Sequence, residues 1–360
     1  MENSSQNFNK LFPIATTVKV SAHARVNLIG EHTDYTGGYV MPSLLKFKTT
    51  IYLNKNNNKN YSIFSEHFNA NFEFNDFIKS KSNDWVDYIK GCLFVFFNEN
   101  KKIKTEYLKI YIKSDIPIGR GISSSSALCV GILKALNNYF QIGFSKKHIA
   151  ILAQKVERNY IGVSGGIMDQ MVSSIGIHGK AFFLDCLSLK YELLKLPSDW
   201  IFVLIDSEVQ RNLRDSCYNE RYEELKQAEK IINTKHLGII KEDQIKESTF
   251  KNSIIYRRAK HVVSENQRVL NAKKFLLQND ISGFGNLMNI SHTSYSKDFE
   301  ASTKDVDVIV SRSLENGASG CRLTGGGFGG FTVSLIKKNE YSNRYEKMLN
   351  YYDKNKFFKI

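Results

Sequence analysis

The stretch PIGRGISSSSAL, residues 117–128, decides how the rest of the chain is read. Two glycines and four consecutive serines lead into a mostly apolar run, residues 127–136. Before the stretch, YLKIYI (107–112) alternates like a strand, and Asp115 and Pro117 end that pattern. A strand, a Gly/Ser loop and a helix start together make a socket for an anion. The first helical N–H groups lack internal partners and lie at the positive end of the helix dipole. Glycines let the backbone come close to a phosphate, and serines add donors and a metal ligand. The same residues also fit an ordinary Ser-capped helix start. Taken alone, the stretch leaves both readings open.

Composition narrows the field. A chain of 360 residues, 42% hydrophobic and 24% charged, is long enough for two domains that each bury a core. No run reaches the roughly 18 apolar residues of a membrane helix, and the polar start MENSSQNFNK lacks a signal-peptide core. Cys92, Cys129, Cys186, Cys217 and Cys321 are widely spaced, with no CxxC pair. Reduced thiols, a cytoplasmic location and no membrane partner are expected. The formal net charge is +14, but the lysines are scattered and form no long basic block. No nucleic-acid partner is expected. A monomer is the default, because no heptad pattern stands out.

Residues 17–21 (TVKVS) read as a short strand feeding ARVNLIGEHTDYTGG, residues 24–38. Arg, Asn, Glu, His and Asp crowd into that string. One His with carboxylates one and two positions away lacks common metal-ligand spacing, whereas carboxylates, Arg and His suit a hydroxyl-rich ligand. A buried polar turn network would use the same residues. Segments 49–53 and 61–65 read as a hairpin around a solvated, dispensable polar tip, residues 54–60. Trp85 opens an apolar helical pattern. Residues 146–160 read as a helix carrying Glu157 near its end, and GVSGGIMDQ (162–170) as a Gly-rich turn into another helix, with Asp169 in the first turn. Strands are expected at 181–185, 200–206 and 331–336. Residues 207–228 read as a loop entering a charged helix with Arg211, Arg214, Tyr218 and Arg221 along it. A Lys-rich helix-turn region is expected at 233–250, and helices at 257–277, 284–292, 305–316 and 341–352.

A third polar-ligand loop, ASGCRLTGGGFGG (318–330), ends in a run of glycines, so its backbone can approach another loop closely. GxxxxGK[ST] is absent, as is GxGxxG in a Rossmann context. An ATP site here would rely on backbone N–H groups and Mg2+.

At this point a resemblance stands out. ARVNLIGEHTDYTGGYVMP resembles the galactokinase signature of the GHMP kinase family, PIGRGISSSSAL that family's phosphate-binding motif, and RLTGGGFGGF its third motif. GGIMDQ, CYNERYEE and RRAKHVVSENQR are also similar, in the same order and at similar spacing. The resemblance covers nearly the whole chain. It implies an α/β (α+β), two-domain GHMP kinase fold with the active site in the cleft between domains. The N-terminal domain (1–196) would be ribosomal-protein-like and the C-terminal domain (197–360) ferredoxin-like.

It also implies transfer of the ATP γ-phosphoryl group to the anomeric hydroxyl of galactose. Position by position, Asp169 and Arg25 fall at the family's catalytic places. Glu31, His32, Asp34, Gly166, Asp169 and Tyr218 fall at its sugar positions. Pro117, Gly119, Gly121, Ser123, Ser124, Ser125, Ser126, Gly325 and Gly326 fall at ATP positions, Trp85 beside the adenine, and Ser125 with Glu157 at the Mg2+ positions. Three places depart from the family pattern: His23-Ala24 stand where Pro-Gly is usual, Arg120 replaces a small residue, and Cys129 stands where Glu is common. A related sugar such as N-acetylgalactosamine or galacturonate, or a catalytically inactive sugar sensor, would share these motifs.

Overall fold

The computed structural model describes residues 18–80, 85–209 and 214–359. Thr17 of the first expected strand and Arg211 lie outside the described residues. Three strands come first: β1 (Val18–Asn27), β2 (Tyr39–Val40) and β3 (Pro42–Lys55). The chain gathers into two compact units. One takes residues up to Ala24, Lys46–Pro117 and Ser123–Ile175; the other takes Arg25–Leu45, Ile118–Ile122 and Gly176 onward.

In the first unit β4 (Tyr61–Ser65), β5 (Ala70–Phe74) and β6 (Leu108–Ser114) follow. β6 pairs antiparallel with β3, from Thr49↔Ser114 to Lys55↔Leu108, and parallel with β4, from Ser62↔Lys109 to Ser65↔Ile112. Segments 49–53 and 61–65 are therefore not a hairpin, because β6 lies between them. A hairpin is enforced by a tight two-residue turn, and the connection here is long enough to let the strands part. β6 then fills the gap with Leu108, Ile110 and Ile112, all buried. Its partner β4 is completed by antiparallel β5.

The helices Trp85–Glu99, Ser124–Tyr139 and Lys146–Lys155 press Ile89, Phe96, Leu133, Leu136 and Leu152 onto Ile51, Ile63 and Ile110. Each such side chain contributes about 1.5–3 kcal/mol when fully buried. The helix expected to run to residue 160 stays α-helical only to Lys155 and widens into a π-helix over Val156–Ile161. It ends at Gly162, whose positive φ of 91° lets its N–H donate back to the Glu157 carbonyl. The helix Met168–Ile175 begins just after the Gly-rich stretch, as its sequence predicts.

The second unit adds β7 (Lys180–Asp185), β8 (Tyr191–Lys195), β9 (Trp200–Asp206), β10 (Gly320–Leu323), β11 (Phe331–Lys337) and β12 (Phe357–Lys359). β7 pairs with β2 and β8, and an antiparallel sheet runs β10-β11-β9-β12. β10 was hidden in the sequence, where GCRL reads as part of a glycine loop; it pairs with β11 from Gly320↔Leu335 to Leu323↔Thr332. The third motif is thus a strand, a glycine turn and a strand.

Helices Arg214–Ile231, Ser253–Leu277, Ile281–Lys297 and Lys304–Glu315 follow the expected pattern, and the 233–250 region holds short 3-10 turns instead of a helix. Leu225, Val262, Tyr295, Phe299 and Leu323 share a core in this unit. Among the described residues no helix is long and apolar enough to cross a membrane.

The polar tip between β3 and β4 is not simply solvated. Asn56 is buried; its N–H donates to the Tyr107 carbonyl (2.8 Å) and its Nδ2 to the Asn60 carbonyl (2.9 Å). Asn56→Ala is expected to lower unfolding free energy by about 1–3 kcal/mol, because the buried amide's bonds to Asn60 and to the Asn58 N–H are lost. Exposed Asn58→Ala should change it by less than about 0.5 kcal/mol. Urea titration of both variants checks the contrast.

Candidate active site

In the first unit the chemistry-bearing side chains meet where two helices begin. Ser123 precedes Ser124–Tyr139 with left-handed backbone angles (φ 68°, ψ 44°), and its side chain does not cap that helix. Its hydroxyl donates instead to Asp169 Oδ2, in the first turn of Met168–Ile175. Ser123 therefore anchors Asp169 and does not act as an ordinary cap.

Glu157, on the π-helix, is buried. Ser126 Oγ donates to its Oε2 (2.9 Å), Gln170 Nε2 donates to the same oxygen, and Ser125 adds a further hydrogen bond. Burial raises the Glu157 pKa above the ordinary 4.5. The Ser125, Gln170 and Ser126 hydrogen bonds oppose that rise, and the Asp169 charge adds to it. Oxygen donors of this kind suit a hard divalent cation.

In the second unit Arg25 sits on β1, buried, with its N–H on the Ile122 carbonyl (3.2 Å) and Nη1 on the Gly121 carbonyl (2.7 Å). It fixes the phosphate-type loop from within. The glycine turn after β10 meets that loop too: a Cβ on Gly325 (φ 84°) would lie 2.5 Å from the Gly121 oxygen. The close approach expected from the glycine run is therefore real. Glu31 is buried and accepts from the Gly325 N–H (2.9 Å) and from Arg322 Nη1 (3.1 Å). Burial lifts its pKa, while the Arg322 and Arg25 charges pull the other way.

His32 is also buried, with a positive φ of 62°. Its Nδ1 lies 2.7 Å from the Tyr35 hydroxyl and its Nε2 2.9 Å from the Tyr295 hydroxyl. Tyr295 donates its single proton to the Gly325 carbonyl (2.9 Å), so His32 Nε2 must carry the proton of the bond they share. Tyr35, His32, Tyr295 and Gly325 thus form one hydrogen-bonded chain from the first motif to the third. The Tyr218 ring lies tilted against His32, with centroids 5.3 Å apart. Asp34 is half-buried, and its charge acts on Tyr35 and Cys186.

The remaining expected residues are placed as follows. Gly166 is buried just before the Asp169 helix, and Ser124 is half-buried at the other helix start. Trp85 is half-buried and stacks on Phe68 (5.2 Å), with Phe72 edge-on. Pro117 is half-buried, Gly119 is exposed with positive φ and open space around it, and Gly326 is half-buried in the glycine turn. Of the departures, Arg120 pairs with Asp206 Oδ1 (3.2 Å), and Cys129 is buried in the core beside Cys92. Sequence reasoning missed Gln170, Tyr35, Tyr295, Arg322 and Glu265. Gln170, Tyr35, Arg322 and Glu265 stand inside quoted motifs; Tyr35 meets His32 three positions away, but the partners of the other three lie farther along the chain.

Comparison with known proteins follows the same lines. Family profiles described as "Galactokinase galactose-binding signature", "GHMP kinases N terminal domain" and "GHMP kinases C terminal" match residues 6–55, 87–176 and 272–354. A galactokinase from Clostridium beijerinckii is 36% identical, over 97% of this chain and 93% of its own length. One from Fusobacterium nucleatum is 34% identical, over 96% and 92%.

This chain belongs to the galactokinase family. The solved galactokinase of Lactococcus lactis, complexed with galactose, superposes with a TM-score of 0.92 at 29% identity, covering 100% of this chain and 96% of that one. A mevalonate kinase from Methanococcus jannaschii, at 19% identity and a TM-score of 0.68, shares the fold alone. The chain thus has the mixed α/β, two-domain GHMP kinase fold.

Two outcomes follow for this galactokinase-family site. A carboxyl whose folded pKa is raised stabilises the fold below its unfolded value, and that contribution is lost as pH rises through the folded value. Glu157→Gln should therefore gain stability relative to wild type between pH 4 and about pH 7, while turnover falls about a hundred-fold. Denaturant titration at both pH values, beside a kinetic assay, checks it. Tyr295→Phe leaves the Gly325 carbonyl and His32 Nε2 without their shared partner. It should cost about 1–3 kcal/mol, read as a lowered denaturation midpoint with an unchanged slope.

Proposed function

We propose that this chain transfers the γ-phosphoryl group of ATP to the anomeric hydroxyl of galactose, giving galactose 1-phosphate and ADP. The observation that carries the reading is Asp169, held by Ser123 at a helix start in a chain of the galactokinase family. Phosphoryl transfer passes through a loose transition state, so positioning and charge neutralisation do most of the work. In this reading Asp169 orients the anomeric hydroxyl and accepts its proton as the new O–P bond forms and the bond to ADP breaks. Arg25 stabilises charge on the transferring group.

Asp34, Gly166 and Tyr218 hold the sugar. Glu31 joins them through its second carboxylate oxygen, its Oε1 being held by Gly325 and Arg322, and His32, whose two ring nitrogens face Tyr35 and Tyr295, shapes the loop that carries Asp34. Gly119, Gly121, Ser123–Ser126, Gly325 and Gly326 would hold the phosphates, and Trp85 the adenine.

Ser125 and Glu157 are the fitting residues for Mg2+. Among the described residues no three His, Cys, Asp or Glu side chains gather into a metal site, so the ion would take most ligands from phosphate and water, as Mg2+ prefers. When bound it neutralises phosphate charge. Residues 1–196 and 197–360 are the corresponding family domains.

The test is ADP release from Mg-ATP against galactose, N-acetylgalactosamine, galacturonate, glucose and mannose. Turnover with galactose well above the other sugars is expected, falling about 10²–10⁴-fold in Asp169→Asn. Near-normal turnover in that variant removes the proton-acceptor role, and turnover confined to another sugar replaces galactose.

A further inference from the structure

RRAKHVVSENQR, residues 257–268, lies on the helix Ser253–Leu277 and supplies nothing to the chemistry above. Two of its neighbouring side chains nevertheless reach the sugar motif. Glu265 has no exposed surface. Its Oε1 accepts from the Gly30 N–H (2.8 Å), the Glu31 N–H (3.4 Å) and Ser291 Oγ (2.7 Å), and its Oε2 accepts from Arg268 Nε (2.6 Å). Asn266 accepts from the Tyr39 N–H (2.7 Å) through Oδ1 and donates to the Gly238 carbonyl (2.8 Å) through Nδ2. One helix therefore grips both ends of the segment 30–39. Between the grips stand Glu31, His32 and Asp34.

The fit is close. Gly30 has φ 106°, and a Cβ there would lie 2.9 Å from Val269 Cγ2 on the same helix and 3.0 Å from the Tyr39 carbonyl. The loop lies directly on the helix, with no room for slack. Burial pushes the Glu265 pKa up, but the Arg268 and Arg322 guanidiniums bring it well below the usual carboxylate range. The grip is thus ionic as well as geometric.

We infer that Glu265, with Asn266, is a positioning residue for sugar binding: it touches no substrate and sets the loop that does. This rests on the galactose reading for its kinetic consequence but not for its structural one. Two readouts keep the failures apart. The first is amide hydrogen exchange over residues 30–34 in the substrate-free protein. The second is the KM for galactose against the KM for ATP.

Glu265→Gln keeps an acceptor oxygen and loses the charge. It is expected to speed exchange over 30–34 about ten-fold relative to the first-unit helices, and to raise the galactose KM about ten-fold with the ATP KM within about two-fold. Ser291→Ala, which removes only one donor to Oε1, should show the same split at smaller size, and it decides the matter if Glu265→Gln does not fold.

Unchanged exchange over 30–34 overturns the inference. So does an equal rise of both KM values, which marks a purely structural loss. If wild type fails to turn over galactose, the function reading fails and exchange alone decides the grip.

Discussion

Arg322, on β10, has no exposed surface, and both carboxylates beside it are buried. Its Nη1 donates to Glu31, and its Nη2 lies 3.7 Å from Glu265. Taking such charges out of water costs several kcal/mol per ion, and attraction returns it only when geometry and extra hydrogen bonds are good. Here the extra bonds come from backbone: Gly30 and Glu31 N–H to Glu265, and Gly325 N–H to Glu31. The ions therefore specify an arrangement more than they add stability. Three distant segments, the first motif, the helix Ser253–Leu277 and the glycine turn, can share one register only if these groups meet.

The first unit buries a carboxylate under different terms. Glu157 is faced by Ser125, Ser126 and Gln170, which are hydroxyl and amide donors, and these offset burial only in part. Glu265, flanked by two guanidiniums, is pulled the other way. One unit thus neutralises its buried acid with its own cations, and the other leaves an acid raised in pKa next to Asp169. That contrast sets Glu157 apart from Glu265.

What the sequence made legible was chemistry that is local. The helix start at Ser124 is signalled by its neighbours, and so is the Asp169 turn. The glycine run announces a close backbone approach because only glycine tolerates one. What it hid depends on partners far along the chain. The sequence suggests a β3–β4 hairpin, but β6 lies between the two strands, since adjacency in sequence says nothing about a third strand competing for the edge. β10 was masked by its glycines and becomes a strand only through β11. Glu265 meets Gly30 across 235 positions, and Tyr295 meets His32 across 263. No periodicity in a single sequence carries that information.

His32 shows how position and role can separate. It falls at a sugar position by resemblance, yet both ring nitrogens bond to tyrosines, and the proton on Nε2 is fixed by the Gly325 carbonyl one step further on. Its neighbours repeat the theme. Thr33 Oγ1 bonds the Gly30 carbonyl (2.9 Å), and Thr36 Oγ1 bonds the Thr33 carbonyl (3.0 Å). The loop is bonded within itself, gripped at both ends by one helix, and wired to the glycine turn. A loop held this way needs no ligand to order it, and a loop ordered beforehand removes an ordering cost from any binding.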